Sequence, residues 1–184
     1  LIPENNLSPL PEYEYEDNQA VSGSSLSDII KMITDADSVT ELSAGFGSAS
    51  YTALATIGGS TAGIAATNKT NDKLTADDCA KLARFIRICD SFGIPVVTVV
   101  DTEGFVASSE AEVAGSIRNM TMLAGSYSEA TSPKITLITG KAFGPAFVAL
   151  ASKNANADFT FAWDGAVISP LNPLTAVEFM WHNK

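Results

Sequence analysis

Two short stretches of this chain are apolar at nearly every position: Pro95 to Val100, reading PVVTVV, and Ile135 to Thr139, reading ITLIT. A strand with one wet face alternates apolar and polar residues, whereas a strand covered on both faces does not. Between the two runs lies a helical pattern from Glu110 to about Ala130, with Val113, Ile117, Met120, Ala124 and Tyr127 on one face. A clearer helix, Leu74 to Phe92, precedes the first run. Leu82, Phe85, Ile86, Cys89 and Phe92 line its apolar side, and Thr75 with Asp78 resembles a capping box. Gly93 suits the left-handed position after a helix, and Pro95 forbids its continuation. Strands buried on both faces and joined through helices predict an α/β fold with a parallel sheet and right-handed crossovers.

Charge and cysteine usage narrow the function classes. The formal net charge is -10, which repels nucleic-acid phosphates. No run approaches the ~18 apolar residues of a membrane span. The N-terminus has no basic segment followed by an apolar one, so no export signal is read and a cytoplasmic location is expected. The missing initiator methionine suggests a piece of a longer chain. Cys79 and Cys89 fall in one helix, about 15 Å apart along its axis at ~1.5 Å per residue. A disulfide needs Cα atoms within roughly 7 Å, so both are expected as free thiols in a reducing compartment. The single histidine, His182, and the cysteine spacing argue against a zinc site.

The rest of the chain divides simply. Residues 1–22 are rich in proline and acid and read as an extended lead-in; residues 23–184 read as the domain. Ser25 or Ser27 is placed to cap a short helix carrying Ile29, Ile30, Met32 and Ile33. Val39 to Leu42 reads as a brief strand. Tyr51 to Ile57 and Thr61 to Thr67 read as a hairpin around Gly58-Gly59-Ser60. Asp158 to Trp163 and Ala166 to Ile168 read as short strands, and Asn172-Pro173 starts a last helix, Leu174 to Trp181.

Functional residues collect at the C-terminal ends of parallel strands. Here those ends read Asp101-Thr-Glu-Gly104-Phe105 and Gly140-Lys-Ala-Phe-Gly144-Pro145-Ala146. Proline is tolerated in a first helical turn, so the second end predicts a strand, a tight glycine turn and a helix start. A helix start offers free N–H groups to an anion, whether bound or developing in a reaction. The commoner reading is that Gly144 and Gly104 only turn the chain, that Asp101 caps a turn, and that Lys141 is a surface cation. No Ser–His–Asp set, Walker A loop or G-x-G-x-x-G pattern is present.

The order of segments resembles the C-terminal half of the biotin-dependent acyl-CoA carboxyltransferases. Leu1-Ile-Pro-Glu-Asn-Asn6, Ala55-Thr-Ile-Gly-Gly59 and Ala62-Gly-Ile-Ala-Ala-Thr-Asn68 carry the first part. Lys81-Leu-Ala-Arg-Phe-Ile-Arg-Ile-Cys-Asp90 and Phe92-Gly-Ile-Pro-Val-Val-Thr-Val-Val-Asp101 follow. Then come Gly104-Phe105, Gly115 with Ile117-Arg118, and Tyr127-Ser-Glu-Ala-Thr-Ser-Pro-Lys134. Lys141-Ala-Phe-Gly144, Ala157-Asp158 and Ala162-Trp163 complete the series. Order and spacing, rather than any single motif, make the match.

The resemblance implies a crotonase-like spiral of ββα units. It implies a carboxyltransferase moving a carboxyl group between carboxybiotin and a small acyl-CoA, the coenzyme A thioester. The expected partners are a biotin carboxyl carrier protein, an N-terminal carboxyltransferase half that binds acyl-CoA, and further copies in a homo-oligomer. Gly144 and Ala146 are the expected backbone donors to the biotin-side oxyanion, with Asp101, Gly104, Phe105 and Pro145 around biotin. No metal is expected. Pro145 stands where the family commonly has a second glycine, and Thr102-Glu103 stands where it commonly has Val-Pro. Those departures favour a competing reading, a non-catalytic assembly module.

Overall fold

The computed structural model of the chain describes residues 24–67, 73–150 and 156–181. The lead-in at 1–22 and His182 therefore lie outside the described residues. Helix α1 (Leu26–Ile33) starts at Ser25, whose hydroxyl and the Asp28 carboxylate cap each other's backbone reciprocally. Strand β1 (Thr40–Glu41) follows, then the hairpin of β2 (Ser50–Ile57) and β3 (Ser60–Thr67). Gly58 and Gly59 both take positive φ at its two-residue turn, and the Asp35 carboxylate accepts both their N–H groups at 2.9 and 2.8 Å. These contacts hold the Asp35 carboxyl below its ordinary range, the Gly59 N–H being the largest cause.

After β4 (Lys73–Leu74) comes α2 (Ala76–Ser91), with the expected capping box between Thr75 and Asp78 and with Gly93 left-handed. Leu74 belongs to β4 rather than to the helix. Strand β5 (Val96–Thr102) and the two-residue β6 (Gly104–Phe105) follow. The helix expected over 110–130 is two helices, α3 (Ser109–Val113) and α4 (Ser116–Glu129). Gly115 at φ +84° turns the chain between them. Val113 and Ile117 consequently stay exposed, at 91% and 61%, while Leu123 and Tyr127 are buried. Strand β7 (Lys134–Phe143) runs four residues past Thr139, straight into α5 (Gly144–Ala149). Strands β8 (Phe159–Ala162) and β9 (Val167–Ser169) and helix α6 (Pro173–Met180) complete the order.

The main sheet runs β1-β2-β3-β5-β7-β8, with β9 joined to the far end of β7. The pairs β1–β2 and β2–β3 are antiparallel and the others parallel. The two apolar runs are neighbours, Val97 opposite Ile135 and Val99 opposite Leu137. A second, two-stranded sheet pairs β4 with β6. The repeating unit is thus a sheet strand, a short second strand and a helix: β3-β4-α2, β5-β6-α4 and β8-β9-α6. In β7 the two strands are fused, since Ile135–Ile138 pairs with β8 and Lys141–Phe143 pairs with β9.

The core is two-sided, as the unbroken apolar strands require. Leu82, Phe85 and Ile86 of α2 pack with Leu123 and Tyr127 of α4 against Val96, Val100 and Ile138. Helix α1 covers the other face, placing Ile30 near Ile64 and Ile29 near Ala66 and Val99. Helix α2 lies so close to β3 that a Cβ on Gly63 would sit 2.6 Å from Cys89 Sγ. Cys79 and Cys89 are free and buried, and burial pushes their thiols up to about 12 and about 11.

Candidate functional site

Strands β5 and β7 end side by side, and their ends are tied together. The Asp101 carboxylate accepts the Lys141 N–H at 2.9 Å and fills the space a side chain on Gly140 would need. The Asp101 backbone exchanges two hydrogen bonds with the Thr67 hydroxyl at the end of β3. Beyond it, Glu103 meets the Lys141 ammonium at 2.6 Å. That hydrogen bond and the Lys141 charge hold the Glu103 carboxyl below the usual carboxylate range, with a smaller contribution from Lys73. Gly104 takes φ +121°, and its N–H bonds the Thr102 hydroxyl. Gly144 takes φ +58°, so any side chain there would be strained; its Cβ would also lie 3.3 Å from the Pro170 carbonyl oxygen.

These turns face an open apolar recess of about 640 Å3 between α4, α5 and the segment after β9. Phe105, Met120, Gly144, Pro145, Ile168 and Pro170 are among its walls. A smaller recess of about 290 Å3 adjoins it and shares Phe105, Gly144, Pro145 and Pro170, adding Glu103 and Gly104.

Gly104, Phe105, Gly144 and Pro145 are thus brought together from two separate sequence stretches. Asp101 is not on either lining; it ties the ends of β3, β5 and β7 together from behind. Ala146 is fully buried in the main core and lines neither recess. Met120 and Ile168 read from the sequence only as parts of a helix face and a short strand, and Pro170 not at all. Their types carry no chemical signal, and only the packing of α4 and β9 brings them here.

The chemistry open to this site is narrow. Its walls are mostly apolar, and the acids on them are Glu103 and Glu112 of the smaller recess. Among the described residues no three His, Cys, Asp or Glu side chains cluster as metal ligands. The donors available on the linings are backbone N–H groups and the side chains of Thr121, Ser169, Ser116 and Asn172. Pro145 cannot contribute an N–H.

Repeated ββα units, a main sheet with a small second sheet and backbone turns at strand ends define a crotonase-like protein, and comparisons agree. Transcarboxylase 12S, solved with methylmalonyl-CoA, superposes with a TM-score of 0.84 and 33% identity, covering 87% of this chain and 31% of that one. The β subunit of geranyl-CoA carboxylase from P. aeruginosa shares the fold, with a TM-score of 0.78 and 24% identity over 83% of this chain and 29% of that one. The family model of the carboxyl transferase domain matches residues 12–184, and the chain belongs to that family. It is 35% identical to the methylmalonyl-CoA decarboxylase subunit alpha of Propionigenium modestum, over 98% of this chain and 38% of that protein. It is 38% identical to a putative propionyl-CoA carboxylase beta chain of Bacillus subtilis, over 85% of this chain and 31% of that protein. The chain therefore spans between three and four tenths of the length of these two relatives.

Proposed function

We propose that this chain is the biotin-facing half of a carboxyltransferase that moves a carboxyl group between carboxybiotin and a small acyl-CoA. The observation that carries the reading is the meeting of Gly104-Phe105 and Gly144-Pro145 on one apolar recess, at adjacent parallel strand ends of a carboxyl transferase domain. Bare backbone at two glycines, an aromatic ring and apolar walls fit a flat, largely apolar bicycle with a polar ureido edge. Carboxybiotin, carried on a biotin carboxyl carrier protein, would supply the activated carboxyl group. The chain's own part is to seat that group and hold negative charge. The N–H groups of Gly144 and Ala146 are the donors we assign to that charge, at the helix start. Gly144, half-buried and on the lining, is the accessible one; Ala146 is fully buried and lines neither recess, so its N–H can serve only if the helix start opens. Phe105 and Pro145 shape the seat, and Asp101 fixes the backbone of Gly140 and Lys141 beneath it.

The acyl-CoA pocket belongs, on this reading, to an N-terminal half, and the working unit is a homo-oligomer in the cytoplasm. The transcarboxylase 12S relative is described as a hexamer assembly, and a broad exposed apolar layer on this chain supports association. No helix among the described residues is long and apolar enough to cross a membrane. The named relatives are carboxylase and decarboxylase subunits, which gives no support to a non-catalytic assembly module.

The test is reconstitution. The chain alone should show no carboxyl transfer from a biotinylated carrier to propionyl-CoA. Combined with the N-terminal half of a relative's subunit, it should transfer label at a rate above a heat-killed control. Assembled but inert mixtures, with either propionyl-CoA or methylmalonyl-CoA, would overturn the reading.

A further inference from the structure

Strands β5 and β7 change register just before they reach the strand-end recess. The pairing is regular up to Val100 opposite Ile138, and it resumes with Thr102 opposite Ala142. Between these pairs β5 supplies one residue, Asp101, and β7 supplies three, Thr139, Gly140 and Lys141. Bulges of this kind re-aim the chain beside functional sites. If the earlier register continued, Gly104 would lie level with Ala142; the shift brings it level with Gly144. The Gly104 backbone accordingly meets the end of β7, where a Cβ on it would lie 3.8 Å from the Phe143 carbonyl oxygen.

One side chain fills the bulge. The Asp101 carboxylate accepts the Lys141 N–H at 2.9 Å, and a Cβ on Gly140 would sit 2.5 Å from its Oδ1. A hydrogen bond to an ionised acceptor is among the stronger kinds. The Asp101 backbone is held from the other side, its N–H donating to the Thr67 hydroxyl at 2.7 Å and its carbonyl accepting from that hydroxyl at 2.9 Å. The residue is therefore fixed to β3 through its backbone and to β7 through its carboxylate. We propose that Asp101 is a positioning residue for carboxyl transfer. It holds the bulge that sets Gly144 at the height of Gly104 and Phe105, and so fixes where the Gly144 N–H stands on the recess. The inference rests on the biotin-facing reading given above. Asp101 lies on neither lining and acts only through Gly144.

Two readouts test this. The first is the set of amide signals of the isotope-labelled 184-residue chain in solution NMR. Asp101→Ala should displace the Gly144 signal, and Gly140→Ala, whose new Cβ drives the carboxylate out of the bulge, should displace it too. Asp101→Asn keeps an acceptor oxygen in the same space and should leave Gly144 close to its native signal. Gly58, at the distant hairpin, should not move in any of them. The second readout is the reconstituted enzyme. Asp101→Ala should lower kcat by about tenfold to a hundredfold with little change in KM for the biotinylated carrier, the pattern of a misplaced group that acts in the transition state. Asp101→Asn should recover most of that rate. Gly140→Ala should slow the enzyme on its own yet add little to Asp101→Ala, because the carboxylate it collides with is already gone. Asp78→Ala, which loosens the start of α2, is the control for lost stability and should leave the rate per folded enzyme unchanged. A Gly144 signal unmoved by both Asp101→Ala and Gly140→Ala, or a normal rate in a folded Asp101→Ala enzyme, would overturn the proposal. Absence of transfer in the unsubstituted enzyme would instead remove the biotin-facing reading, while the Gly144 signal would still tell whether Asp101 holds the bulge.

Discussion

The two ends of the sheet are built on different terms. Around β3 and β5, helices cover both faces, and Ile64, Leu82, Ile86, Val100 and Ile138 show no exposed surface at all. At the β8 end, every residue of the strand is exposed. Phe159 and Phe161 stack on each other with their rings 6.4 Å apart, and Leu174, Phe179, Met180 and Trp181 of the last helix segment are open. Both regions carry large apolar side chains. The difference is partners: α1, α2 and α4 supply them on one side, and the described residues supply none on the other. Exposed apolar area of this extent marks a surface meant to be covered. The chain's own packing therefore stabilises the first region, and we propose the second as the surface that associates.

Four predictions press on that contrast. The largest effect is expected in the core. Ile86→Ala should cost about 2–5 kcal/mol in urea unfolding, while Phe179→Ala, 82% exposed, should stay within about 0.5 kcal/mol. Similar losses for the two would show that the β8 end is packed within the chain after all. The same Phe179, changed to Glu together with Leu174→Glu, should convert an associating species to a smaller one by light scattering, with little change in the unfolding midpoint.

At the boundary between the regions lies α5. In a reconstituted enzyme, Ala146→Pro removes the donor proposed above and, on that reading, should lower the rate by about two to three orders of magnitude, the ~2.7–4 kcal/mol typical of such a loss. Because Ala146 is buried, an unfolding curve must accompany the assay. Pro145→Gly should leave the rate unchanged or raise it, since it restores an N–H. A normal rate in a folded Ala146→Pro enzyme would remove this residue from the site.

Next in size is the buried polar anchor of α2. Asp78 accepts from Ala49 N, the Ser50 hydroxyl and Thr75 N, each at 2.9 Å. Asp78→Ala leaves those donors unsatisfied and should cost about 1–3 kcal/mol, measured by thermal or urea unfolding. A smaller loss would mean that water reaches the Gly47–Ser50 turn.

The smallest effect is the Glu103–Lys141 pair, 26% and 45% exposed. Its contribution should be about 0–1 kcal/mol and should fade with salt. The Glu103 carboxyl is lowered from 4.5 in the folded chain, so the unfolded chain binds this proton more readily. The contribution is complete above about pH 4.5 and is lost as pH falls through the lower folded value. Glu103→Gln should flatten that part of the stability–pH curve; an identical curve would show that the pair contributes nothing.

Much of the fold could be read without coordinates, because the signals were local. Thr75 with Asp78, Gly93 and Pro95 bracket α2, and Gly58-Gly59 fixes the hairpin. The unbroken apolar runs gave two adjacent parallel strands. The helix expected over 110–130 failed for an equally definite reason. Its spacing was helical on both sides of Gly115, and only the chain path shows that the glycine turns out of the helix. Strand β7 was read too short because its apolar run stops at Thr139, and Gly140 does not end it. Its missing side chain instead makes room for the Asp101 carboxylate, a neighbour in space and not in sequence.

The site divides in the same way. Gly104, Phe105, Gly144 and Pro145 were visible because turns at strand ends have a residue signature. Asp101, expected at the site, turned inward as a tie between three strands. Met120, Ile168 and Pro170 carry no signature at all. By itself the sequence determined most of the longer elements and their order, and the family; β7 keeps Ile135 and Leu137 only half-buried on one face, which its unbroken apolar run did not reveal. Capping, turn chemistry and periodicity act over a few residues, and the order of segments survives in the chain itself. The tertiary structure alone decided which turns share a recess, that Ala146 is buried in the core and off its lining, and which apolar side chains are left uncovered. Those outcomes depend on packing between elements dozens of residues apart, where many residue choices satisfy the same contact and none announces it.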